Sequence, residues 1–122
     1  VLPWLAESSE ADFHDVVEDA AIPVLVDFWA PWCAPCRVVS PLVERLAEER
    51  PGQLKVVKVN SDTAPALAQR FGIRGIPTLV LLDHGNEVAR VTGALPADAL
   101  RNWINGHLPA RRVAGSSAQG SA

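Results

Sequence analysis

Cys33 and Cys36 stand three residues apart in the run Trp32–Cys33–Ala34–Pro35–Cys36, and they are the only cysteines in the 122-residue chain. Thiols at this spacing could serve three kinds of chemistry. A structural disulfide closing so short a loop removes little entropy from the unfolded chain and stabilises it weakly. A zinc centre takes about four ligands, whereas the chain offers two thiols and three scattered histidines, His14, His84 and His107. The third use is a dithiol that cycles with its disulfide, which suits a CxxC pair beside alternating strands and helices. Redox exchange fits best. A metal site shared between two chains and a structural role stand as its alternatives.

The flanking pattern gives the pair its reactivity. Ile22–Trp29 (IPVLVDFW) is short, β-branched and almost continuously apolar, as a strand buried on both faces should be. From about Ala34 to Arg50, Val39, Leu42 or Val43, and Leu46 recur on one face, the pattern of an amphipathic helix ended by Pro51–Gly52. Cys33 therefore falls at a helix N-terminus, where unpaired N–H groups and the helix dipole favour a thiolate, the form that attacks disulfides. Cys36 lies one turn further in and stays a thiol until needed, so Cys33 attacks and Cys36 resolves. Pro35 presets helical φ in the first turn and has no N–H to leave unpaired. Ala34 favours helix over glycine by up to about 1 kcal/mol, and about 30 mV corresponds to 1.4 kcal/mol for two electrons, so it shifts the redox balance only modestly.

Asp27 interrupts the apolar strand. A buried carboxylate is costly unless paired, and burial pushes its pKa upward; a purely structural, hydrogen-bonded Asp is the plainer reading.

Other elements follow from periodicity. Ser9 and Asp12 read as a capping box before a helix from about Glu10 to Ala20, with Phe13, Val16, Val17 and Ala20 inward. Leu2–Leu5 suggests a short edge strand because of Pro3. Leu54–Asn60 alternates as a strand, and Thr63–Phe71 reads as a short helix closed by Gly72. Thr78–Leu82 and Glu87–Gly93 flank His84–Gly85–Asn86 as a hairpin. Pro96 opens a last helix with Leu100, Trp103 and Ile104 inward; Pro41 should kink the long helix. Trp29 and Trp103 read as core. The order βαβαβαββα predicts an α/β domain, residues 1–108, with a mixed parallel and antiparallel sheet covered by helices on both faces. Residues 109–122, small and polar, read as a disordered tail.

Composition narrows the partners. A net charge of −3 argues against nucleic acid, for which a clustered basic face is needed; Arg111–Arg112 in the tail reads as a solvated pair. No apolar run approaches the roughly 20 residues of a membrane span. The start, VLPWLAESSEADF, shows neither the charged nor the long apolar region of a signal peptide, and the chain contains no Met.

Three runs together resemble the bacterial thioredoxins: VDFWAPWCAPC (Val26–Cys36), FGIRGIPT (Phe71–Thr78) and VTGALP (Val91–Pro96). The resemblance extends from about Ser9 to Leu108. It implies a thioredoxin fold, a central five-stranded mixed sheet flanked by four helices. It further implies a cis-proline at Pro77 packed on the dithiol, with the backbone of Ile76 pairing an extended substrate segment. Trp32, Gly75, Ile76, Pro77, Gly93 and Ala94 would form the apolar docking surface. Asp27 would accept the Cys36 proton through water, tuned by Lys58. The motif departs from the usual Gly-Pro in carrying Ala34–Pro35. FGIRGIPT and GALPADALRNWIN, preceded by LPWLAE, are similar to a branch with an N-terminal zinc-binding segment; none occurs from Val1 onward, so either the chain is trimmed there or this member lacks it, and no metal is expected.

The resemblance thus implies a monomeric cytoplasmic reductant of diverse protein disulfides, with no bound cofactor, recharged from NADPH by a thioredoxin reductase. A more oxidising oxidoreductase or isomerase of an extracytoplasmic compartment, and a binding or holdase module using the same surface, are the competing readings.

Overall fold

In the computed structural model, residues 5–108 are described. Five strands, Leu5–Ser8 (β1), Val24–Trp29 (β2), Lys55–Asn60 (β3), Thr78–Asp83 (β4) and Asn86–Thr92 (β5), form one sheet in the order β1-β3-β2-β4-β5. The first three run parallel, and β4 and β5 are antiparallel to their neighbours. A short π-helix, His14–Glu18, and three α-helices, Ala34–Glu48 (α1), Pro65–Arg70 (α2) and Ala97–His107 (α3), flank it. This is the mixed five-stranded, four-helix thioredoxin fold.

β2 lies at the centre and its residues alternate between two cores. Val24, Val26 and Phe28 pack with Phe13, Val17, Val57, Val59, Leu67, Val80 and Leu82. Leu25 packs on the other face with Val39, Val43 and Leu46 of α1 and Leu100 and Ile104 of α3. Period two along β2 and period 3.6 along α1 thus meet in one layer.

The first helix departs from expectation. Only five residues, His14–Glu18, form it, as a π-helix, in place of Glu10–Ala20. The Asp12 carboxylate accepts from the Ser9 N–H (2.9 Å) and the Ser8 hydroxyl (2.8 Å), fixing a turn ahead of the helix. The expected box closes on one arm, and the helical ladder starts only with Val16 N–H on the Asp12 carbonyl. The first strand also sits later, at Leu5–Ser8, where it pairs with Val56–Val59. It is an edge strand as expected; Leu2, Pro3 and the 109–122 tail lie outside the described residues. Pro41 lies within α1 without ending it. The β4–β5 hairpin turns on His84 (φ 51°) and Gly85 (φ 83°), a left-handed pair that suits the twist of a two-residue turn.

Candidate active site

β2 ends at Trp29, a turn follows through Pro31 and Trp32, and α1 begins at Ala34. The turn is closed by the Cys33 N–H on the Ala30 carbonyl at 3.1 Å. Cys33 is the N-cap of α1 in extended backbone (φ −90°, ψ 105°), and its Sγ accepts the Cys36 N–H at 3.2 Å. A sulfur here takes the place of the usual capping oxygen, and one otherwise unpaired helix donor points at it. Cys33 and Cys36 form a disulfide with Cα atoms 5.3 Å apart. Both are buried in this state, 4% and 2% exposed, so their accessibility differs less than the one-turn offset suggests. Ala34 and Pro35 are exposed in the first turn between them.

Trp32 is 69% exposed, with its indole N–H on the Asp62 carboxylate at 3.0 and 3.3 Å. Ile76 packs against the cluster formed by the two cysteines and Ala30. The Ile76–Pro77 peptide is cis, the geometry that the resemblance implies. The Pro77 carbonyl accepts the Gly93 N–H at 2.9 Å, tying the two loops of the surface together. Gly93 has φ 102°, which disfavours any side chain. Gly75 and Ala94 are exposed beside them, and neither the N–H nor the C=O of Ile76 is hydrogen-bonded among the described residues. Trp29 is only partly core: it packs on the cysteine cluster and carries Lys58 Nζ over its ring at 4.8 Å. Trp103 packs half-buried on the α1–α3 core.

Asp27 is fully buried on the α1 face of β2. Its Oδ2 accepts the Ser40 hydroxyl at 2.6 Å, and its Oδ1 has no partner among the described residues. Burial raises its pKa; the Ser40 hydrogen bond and the nearby Lys58 charge oppose that, while Glu44 adds to it. The parallel register sets Asp27 opposite Lys58, and Lys58 pairs with Glu44 of α1 at 3.8 Å. A cavity of about 260 Å³ opens here, lined among others by Cys36, Ser40, Glu44, Lys58 and Trp29.

The structure thus brings Cys33, Cys36, Ala34, Pro35, Trp32, Ile76 and Pro77 into one region, with Asp27 and Lys58 on the layer beneath α1. Sequence reasoning missed Ser40, Glu44 and Asp62. The signal for the first two was present, since Cys36, Ser40 and Glu44 repeat at i, i+4, i+8 and so share a helix face. Asp62 had no local signal, because its partner is 30 residues away. No group of three or more His, Cys, Asp or Glu side chains gathers for a metal among the described residues.

An exchangeable disulfide offered from a helix N-terminus, at the carboxyl ends of parallel strands, makes this chain a protein-disulfide oxidoreductase in class. The sequence pattern of the family described as "Thioredoxin" matches residues 5–106. Thioredoxin 1 of Synechococcus elongatus is 48% identical over 103 residues, spanning 84% of this chain and 96% of its own. Thioredoxin of Haemophilus influenzae is 48% identical over 100 residues, 82% and 94% of the two chains. A chloroplastic M-type thioredoxin of Chlamydomonas reinhardtii is 42% identical over 96 residues, 79% and 69%. The chain belongs to the thioredoxin family. Among the described residues no helix is long and apolar enough to cross a membrane.

Proposed function

We propose that the chain is a reductant of protein disulfides, with Cys33 as the attacking and Cys36 as the resolving thiol of the CAPC motif. The observation that carries this is the Cys33 sulfur at the N-cap of α1, accepting the Cys36 N–H. In the reduced state the same donor favours a Cys33 thiolate. That thiolate attacks a substrate disulfide and releases one substrate thiolate. Cys36, after losing its proton, attacks Cys33 Sγ, closes the Cys33–Cys36 disulfide and releases the second. Asp27 accepts that proton, and Lys58, opposite it in the sheet, tunes its charge. Substrate docks across Trp32, Gly75, Ile76, Pro77, Gly93 and Ala94, an extended segment pairing with the unoccupied backbone of Ile76.

On this reading no cofactor is bound, a flavin-containing thioredoxin reductase returns electrons from NADPH, diverse protein disulfides are the substrates, and the compartment is the cytoplasm. The likeness of FGIRGIPT and GALPADALRNWIN to the zinc-segment branch supports placing the chain beside that branch.

The deciding measurement is the Cys33–Cys36 reduction potential in thiol buffers, followed by Trp29 and Trp32 fluorescence. Reducing members of such families lie near about −270 mV and strongly oxidising relatives near about −120 mV. A value near the first is expected. One above about −200 mV overturns the direction of electron flow and the cytoplasmic assignment.

A further inference from the structure

We propose that Ser40 is the positioning residue through which the Cys36 proton reaches Asp27, its hydroxyl spanning the gap between the reactive cavity and the buried carboxylate. The inference rests on the reading of Asp27 as proton acceptor.

Asp27 is fully buried and is not among the residues that line the cavity; Cys36 and Ser40 both line it. Of the described residues that line the cavity, Ser40 is the one hydrogen-bonded to Asp27, its hydroxyl donating to Oδ2 at 2.6 Å. Cys36 and Ser40 are separated by one helical turn on the same face of α1, the spacing that makes side chains neighbours. A hydroxyl has one proton to give and two lone pairs to receive with. Its proton is committed to Asp27, which leaves lone pairs for a proton arriving from the cavity. The step balances: the Cys36 proton passes to Ser40 Oγ, the Ser40 proton passes to Asp27, and the Cys36 thiolate attacks Cys33 Sγ. The Cys33–substrate bond breaks, the two electrons leave with the substrate thiolate, and Asp27 ends as a carboxylic acid. The charged groups facing Asp27 are Lys58 from β3 and Glu44 from α1, with Cys36 the other titratable group; β4 presents Leu79 at the paired position. Lys58 and Glu44 pair with each other at 3.8 Å, and among the described residues only Ser40 is hydrogen-bonded to the carboxylate.

The test is single-turnover oxidation of the reduced chain by insulin disulfides from about pH 6 to about pH 9, on wild type, S40A, S40T, D27N and S40A/D27N. Alkylation of Cys33 by iodoacetamide reports separately that the attacking thiol is intact. Expected is a loss of at least about tenfold in S40A near neutral pH, with the acid limb of its profile moved to higher pH. The limb moves because the donor that favours the charged carboxylate is gone. S40T restores the rate to within about threefold, and the double variant is no slower than D27N. If D27N is slow and S40A runs at the wild-type rate, the Ser40 route is wrong and Asp27 stands. If D27N is unaffected, the Asp27 reading falls and this inference with it. A double variant slower than D27N by the full S40A factor overturns the route, since Ser40 then acts apart from Asp27. Should S40A not fold, S40T and S40V, alike in shape, ask the same question: the first keeps the rate and the second loses it, and equal rates overturn the proposal.

Discussion

Asp27 and Phe28 are neighbours in β2, yet they face two different interiors. Phe28 meets Phe13, Val17, Val57, Val59 and Val80, with Phe71 tilted against its ring at 5.7 Å, and the buried Thr78 lies opposite it on β4. Asp27 faces α1, where Leu25, Val39, Val43 and Leu79 build an equally dry core that gives way to Ser40, Glu44 and Lys58. The buried cluster on one face carries no ionisable side chain; it holds the fold and supports Ile76 at the edge of the site. The other holds the fold and also buries a carboxylate, with one oxygen left unpaired among the described residues. A native chain tolerates an unpartnered buried polar atom where it is put to use, and the proposed role of Asp27 as proton acceptor would be such a use.

The widest separation between the faces comes from Phe28→Ala. Truncating a fully buried phenylalanine costs about 3–5 kcal/mol, read as a fall in the urea midpoint. The Cys33–Cys36 potential and the rate per folded molecule should stay at wild-type values. A changed potential in the folded fraction would show that the apolar face reaches the disulfide after all.

Asp27→Asn should do the reverse, slowing reduction near neutral pH by at least about tenfold while raising stability by about 1–3 kcal/mol. The sign of its pH dependence follows from the raised pKa. The folded state binds the Asp27 proton more tightly than the unfolded chain does. Below the ordinary value of 3.8 the carboxyl is neutral in both states and wild type has that stability in full. As pH rises through the folded pKa, wild type loses it and D27N does not. The advantage of D27N therefore grows with pH and then levels off, measured by urea unfolding from acid to neutral pH. Equal stabilities at neutral pH would mean that the carboxylate is fully paired in solution and that the two faces cost the same.

Legibility in the sequence followed the same division. The apolar run of β2, the amphipathic stripe of α1 and the β4–β5 hairpin were readable because each carries its own period within a short window. So was the CxxC pair, whose reactivity depends on its place at a helix start. Asp27 was visible as a charge in the wrong company. What could not be read locally was its company: Ser40 lies 13 residues away, and Lys58 meets Asp27 only through the parallel register of β2 with β3. The first helix misled because Ser9 and Asp12 form a good box on paper, while Ser8 competes for the same carboxylate and holds a turn there.

The smallest expected effects come from Lys58 and Glu44, and their signs are opposite. Lys58 favours the Asp27 carboxylate and Glu44 opposes it, with Lys58 the stronger influence. Lys58→Met should raise the Asp27 pKa further and carry the acid limb of the reduction profile to higher pH. Glu44→Gln should lower it and carry the limb down. Each variant also breaks a half-buried ion pair, which costs less than about 1 kcal/mol, and K58M gives up the contact with the Trp29 ring as well. The two charges sit 3.8 Å apart and cancel much of each other's field at Asp27, so removing both together should leave only a slight upward movement of the limb. The ¹³C shift of the Asp27 carboxyl carbon, followed through a pH titration, checks all three variants without reference to rate. If K58M and E44Q moved that titration in the same direction, the Asp27 face would be responding to altered packing around α1, and the charges would not be what sets it apart from the face of Phe28.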